Sequence, residues 1–170
     1  MPTTTPTVTT TDRPAHPRAA ARPEHRYVRA GWFAQHVVNR AVRRLARLGV
    51  APSGLRELRV RGRRSGRARS VPVNVLELGG RRYLVAPRGT TEWVRNLRAA
   101  GEGELRLGRR VERFRAVEVA DADKPPLLRE YLRRWRRQVT SLVGDLDHTS
   151  SDDALAAAAP GFPVFELHPS

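Results

Sequence analysis

Between Gly62 and Pro72 the chain reads Gly62-Arg63-Arg64-Ser65-Gly66-Arg67-Ala68-Arg69-Ser70-Val71-Pro72. Four guanidiniums crowd this stretch, and each offers forked, charge-assisted donors that match phosphate or carboxylate oxygens. Gly62 and Gly66 bracket a tight turn whose backbone amides could face an anion, and Ser65 and Ser70 add hydroxyl donors. So many like charges repel one another unless an anion with several negative groups sits among them. The plainer reading is a solvated basic turn in an arginine-rich protein. A second segment runs Ala86-Pro87-Arg88-Gly89-Thr90-Thr91-Glu92-Trp93-Val94-Arg95-Asn96-Leu97. A glycine turn that opens a helix presents free amides to an anion or a ring carbonyl. Trp93 and Asn96, three apart, share a helical face and set an apolar plate beside an amide. Taken alone, Trp93 reads as core and Asn96 as a local helix-end partner.

The elements that must hold these segments are short. Leu55–Gly62 alternates Leu58 and Val60 against arginines, and Ser70–Leu78 is a second strand. Gly79-Gly80 is a hairpin signal, with Arg82–Ala86 returning. Thr91–Ala99 predicts a helix. Glu104–Leu107, a Gly108-Arg109 turn and Val111–Val119 predict another hairpin. A helix starts at Asp123 or Lys124 with Pro125 and runs to about Val139. Ser151 or Asp152 caps a short alanine-rich helix that ends at Pro160, and Val164–Leu167 closes as a strand. Meandering strands with helices at their margins predict an α+β fold built on a small barrel.

The chain has 170 residues, 39% of them hydrophobic, enough for one domain with a real core. Residues 1–25, rich in Thr, Pro, Ala and Arg, are expected to stay disordered, leaving 26–170 as the single domain. From Tyr27 to Leu48, Val28, Trp32, Val37 or Val38, Ala41, Val42, Leu45 and Leu48 recur at helical spacing among arginines, and Gly49 and Pro52 end the pattern. This amphipathic helix either covers a sheet with its arginines reaching into water or rests on an anionic membrane. With no cysteine, disulfide and thiolate chemistry are excluded. No apolar run reaches membrane-spanning length, and no secretory leader is visible. A cytoplasmic protein is expected, with peripheral contact at the inner face of the membrane as its extension.

Net charge is +15, and all but one of the 32 basic side chains are arginine, Lys124 being the exception. Such a balance asks for an anionic partner: nucleic acid, a membrane surface or a phosphorylated cofactor. Aromatics are few and not interleaved with the arginines, which argues against nucleic acid. His148 lies within the acidic Asp145–Asp153 stretch, but no second histidine stands at ligand spacing, so no metal is expected.

Together the segments resemble the deazaflavin-dependent nitroreductase and quinone reductase family of actinobacteria. The resemblance is carried by Gly62-Arg63-Arg64-Ser65-Gly66 with Arg69 and Pro72, by Leu84-Val85-Ala86-Pro87 with Gly89, by Trp93–Ala99, and by Phe162-Pro163-Val164-Phe165-Glu166-Leu167. It spans about Ala41 to Leu167. It implies a split β-barrel close to flavin-binding, pyridoxamine-phosphate-oxidase-like proteins, with peripheral helices. It also implies coenzyme F-420, a deazaflavin with a phosphate and a polyglutamate tail. By this resemblance Arg63, Arg64, Ser65 and Arg69 hold phosphate and tail carboxylates, and Arg67 assists at the mouth. Ala86, Pro87, Arg88 and Gly89 lie along the ring, and Trp93 and Asn96 line the same cleft. The implied reaction passes a hydride from the reduced ring to a quinone, an activated alkene or a nitroaromatic. Relatives place a tyrosine acid on a C-terminal helix; Tyr131 stands in a comparable place, although Leu128, Tyr131, Leu132 and Trp135 also form an ordinary apolar face. Arg88 departs from the family, which more often has a small or aromatic residue there, and bears on the choice of acceptor.

The rival readings are a non-catalytic basic protein that binds nucleic acid or an anionic membrane through Tyr27–Leu48, and a split barrel that binds FMN. Split barrels often pair as homodimers; the sequence identifies no interface.

Overall fold

The computed structural model describes residues 54–170. The 1–25 tail, the Tyr27–Leu48 helix and the start of the 26–170 domain lie outside the described residues. The elements follow in the order β1 (Leu55–Arg61), β2 (Ala68–Leu78), β3 (Arg81–Val85), α1 (Glu92–Ala100), β4 (Glu102–Leu107), β5 (Arg110–Glu118), α2 (Pro125–Val143), α3 (Asp152–Ala158) and β6 (Val164–Pro169). The strands close a barrel in the order β1-β2-β3-β6-β5-β4, each neighbour antiparallel. Every predicted strand and helix within these residues is present. The second helix runs past Val139 to Val143, and β4 starts at Glu102.

Two apolar layers follow from the pleat, because alternate side chains of a strand leave by opposite faces. Leu58, Val60, Val73, Val75, Leu84 and Phe165 pack with Leu105, Phe114 and Leu167 in one cluster, joined by Val94 and Leu97 of α1. Leu76, Tyr83, Val85 and Val164 pack in a second cluster under Leu128, Tyr131, Leu132 and Trp135 of α2 and Leu155 of α3. Strands β2 and β3 are therefore covered on both faces, which is why Val75-Leu76 and Leu84-Val85 are consecutive buried apolar residues.

The barrel splits beside β2. Its pairing with β1 runs from Ala68 to Asn74, whereas its pairing with β3 spans only Val75–Leu78. Among the described strands, the first half of β2 has a neighbour on one side only. Pro72 sits in that half, where its missing N–H costs no ladder bond.

Candidate functional site

A cavity of about 730 Å³ opens at this split. Six consecutive residues of β2, Arg69–Asn74, line one wall, as expected of an edge that shows both faces and its backbone. Val85–Arg88 supply another wall, Thr91–Trp93 and Asn96 of α1 a third, and Tyr131 and Gln138 of α2 a fourth. The turn into α1 is set by Gly89, whose φ of 74° suits glycine; its N–H donates to the Ala86 carbonyl at 3.0 Å, and Thr91 N–H donates to its carbonyl at 2.8 Å.

The structure brings together seven of the expected residues on the cavity wall: Arg69, Ala86, Pro87, Arg88, Trp93, Asn96 and Tyr131. Gly89 is buried and shapes the turn behind them. Arg63 reaches the same place through partners. Its Nη1 donates to Glu92 Oε2 at 2.8 Å and to Asn96 Oδ1 at 3.0 Å, and its backbone N–H donates to Asn96 Oδ1 at 3.2 Å. Asn96, buried within α1, thus serves a residue on a distant loop and not its own helix end. Trp93 fills both expected roles: it lines the cavity and lies 6.0 Å from Phe165 at 56°.

Arg64, Ser65 and Arg67 are exposed and do not line the cavity. The amides of their loop are spent locally. Gly62 N–H donates to Arg67 O at 2.9 Å, Gly66 N–H to Gly62 O at 2.8 Å, and Arg67 N–H to Ser65 Oγ at 3.4 Å. The Gly62, Gly66 and Arg67 amides are therefore turned inward to the loop.

Tyr131 is 4% exposed, with its ring 5.0 Å from that of Trp135. Burial pushes its phenol above the ordinary tyrosine range, opposed by a hydrogen bond with the Asn74 side chain. Asn74 Nδ2 in turn donates to Gln138 Oε1 at 3.2 Å. Neither amide was foreseen. Asn74 interrupts the apolar run of β2, and Gln138 follows Tyr131 by two helical turns; those were the available signals. Thr91 was missed as a wall residue. Its Oγ1 is buried without a hydrogen-bond partner, because the residue caps α1 with extended backbone while its hydroxyl makes no cap bond. Glu92 was missed too. Its carboxyl is held below the usual range, chiefly by the Arg63 hydrogen bond and then by that of Arg95.

A sequence model of the family described as F420H(2)-dependent quinone reductase matches residues 31–141. The chain belongs to that family. As a member it is an oxidoreductase that works with coenzyme F-420. Among curated proteins, none matches the chain. Solved structures similar to it include an F420-H2 dependent reductase termed FDR-A, at 17% identity and TM-score 0.47, covering 68% of this chain and 94% of the other. A structure named F420 reductase is 13% identical with TM-score 0.42, covering 69% and 88%. A putative pyridoxamine 5'-phosphate oxidase from Listeria innocua is 11% identical with TM-score 0.43, covering 69% and 84%.

The residues present fit the family's coenzyme. The cavity has the volume of a typical cofactor site. It combines cationic Arg69 and Arg88 with the apolar Val71, Pro87 and Trp93. Among the described residues no helix is long and apolar enough to cross a membrane.

Proposed function

We propose that the cavity at the split holds the deazaflavin and that the protein reduces a small electron-poor acceptor there: a quinone, an activated alkene or a nitroaromatic. The observation that carries this reading is the continuity of one cavity wall from Arg69 through Ala86–Arg88 to Trp93 and Tyr131. Arg69 and Arg63 take phosphate and tail oxygens, with Arg64, Ser65 and Arg67 in reserve at the exposed mouth. Ala86, Pro87 and Gly89 form a smooth turn for the ring, and Trp93 and Asn96 border it.

When bound and reduced, the coenzyme supplies a hydride. The acceptor then needs one proton to complete a two-electron reduction. Tyr131 lines the cavity and, like any tyrosine, is protonated at neutral pH, so its Oη–H serves as donor to the acceptor oxygen. Asn74 holds that hydroxyl, and Gln138 in turn accepts from the Asn74 amide. Arg88 lines the same space, narrowing it while favouring acceptors with a partly negative oxygen. A Tyr131→Phe variant tests the assignment. With a benzoquinone acceptor and reduced F-420, kcat falls by about a hundredfold or more, in keeping with one lost proton donor, while coenzyme affinity holds. An unchanged kcat removes Tyr131 from the proton path.

A further inference from the structure

Glu92 is the only acidic residue lining the cavity among the described residues, in a site read as one for a polyanion. Each of its oxygens is already taken. Arg63 Nη1 donates to Oε2 at 2.8 Å, and Arg95 Nη1 donates to Oε1 at 2.7 Å. Asn96 braces Arg63 from the other side. The two guanidiniums thus converge on one carboxylate and are spaced for one. The Glu92 side chain is 66% exposed, so it can rotate into water without uncovering core. An anion can take the point where the two Nη1 groups converge only after it does so.

We propose that Arg63 and Arg95 form a carboxylate subsite at the cavity rim, that Glu92 occupies it when no ligand is bound, and that a glutamate carboxylate of the coenzyme tail replaces Glu92 by exchange. The inference rests on reading the cavity as the coenzyme site. Arg95 becomes a tail-binding residue, and Glu92 becomes a specificity-determining one. A chain of carboxylates succeeds in the exchange because its other charges persist at the rim while one displaces Glu92. A ligand without a tail gains nothing from displacing it.

Three probes read the subsite in wild type, Glu92→Gln and Arg95→Ala: tailed F-420, the deazaflavin phosphate lacking glutamates, and a tetra-γ-glutamate peptide. Coenzyme fluorescence follows the first two and calorimetry the third. Glu92→Gln keeps the side chain's size and removes the competing charge, so tailed F-420 and the peptide bind about threefold or more tighter, in line with exposed ion pairs. Arg95→Ala weakens both by a similar factor. The tail-less form changes with neither variant. Weaker binding of tailed F-420 to Glu92→Gln, or equal shifts for tailed and tail-less forms, overturns the proposal. Should wild type bind neither deazaflavin, the coenzyme-site reading fails, while the peptide alone still reports on the exchange.

Discussion

At the scale of single residues, the arginine cluster divides by what each guanidinium already touches. Arg69 lines the cavity, whereas Arg63 is committed to Glu92 and Asn96. Arg69→Ala removes charge-assisted hydrogen bonds worth about 1.5–3 kcal/mol, a loss of tenfold or more in coenzyme affinity, and leaves the melting temperature nearly unchanged. Arg63→Ala costs less affinity, because coenzyme binding no longer has to break the Glu92 pair, but it removes one of the two donors to the buried Asn96 oxygen, the backbone N–H staying in place, and destabilises by about 0.5–1.5 kcal/mol. Thermal melts and coenzyme titrations on both variants check this contrast. The same pair sets a pH signature. Glu92 titrates below its ordinary value of 4.5 when folded, so its small contribution to stability is present above pH 4.5 and is lost as pH falls through the folded value. In Arg63→Ala, NMR titration should find the Glu92 carboxyl returned toward 4.5. The sequence announced the chemistry of these side chains without their pairing. Arg63 and Asn96 stand 33 positions apart, and only the seating of α1 against β1 makes them neighbours. Tyr131 read more readily as core than as acid, and its ring does pack against Trp135, while its hydroxyl meets the Asn74 amide.

At the scale of elements, period-two alternation and glycine turns placed every described strand and helix to within a few residues. What alternation could not reveal is that half of β2 lacks a second neighbour, since pairing depends on where β3 begins. Pro72 was the one local sign of it. The turn from β3 into α1 depends on Gly89 at φ 74°. Gly89→Ala forces a left-handed conformation on a side-chain-bearing residue, at about 1–2 kcal/mol, and shifts Ala86–Arg88, so coenzyme affinity drops along with stability. Ser151 provides the control. Its hydroxyl accepts the Ala154 N–H at the start of α3, far from the cavity wall, so Ser151→Ala costs about 1 kcal/mol of stability and leaves coenzyme binding as it was. Urea unfolding together with coenzyme titration separates the two outcomes.

At the scale of the molecule, a chain of net charge +15 builds a six-stranded barrel whose β2–β3 seam is paired over only part of its length. Trp135, 2% exposed, ties α2 to the outer face of β2 and β3. Trp135→Ala should cost about 3–5 kcal/mol, a large part of the roughly 5–15 kcal/mol that holds a domain together, and should loosen the wall that carries Tyr131 and Gln138. The composition pointed to an anionic partner but not to which one; the family match names the coenzyme, and the proposed place for it is a cavity that is cationic along Arg69 and Arg88 and apolar along Val71 and Trp93. The most direct test is a fluorescence titration of F-420 and FMN, side by side, against the wild-type protein and Arg69→Ala. The account predicts saturable binding of F-420, tighter than that of FMN, and a loss of tenfold or more in the variant. Equal affinity of F-420 for both proteins, or a wild type that prefers FMN, would contradict it.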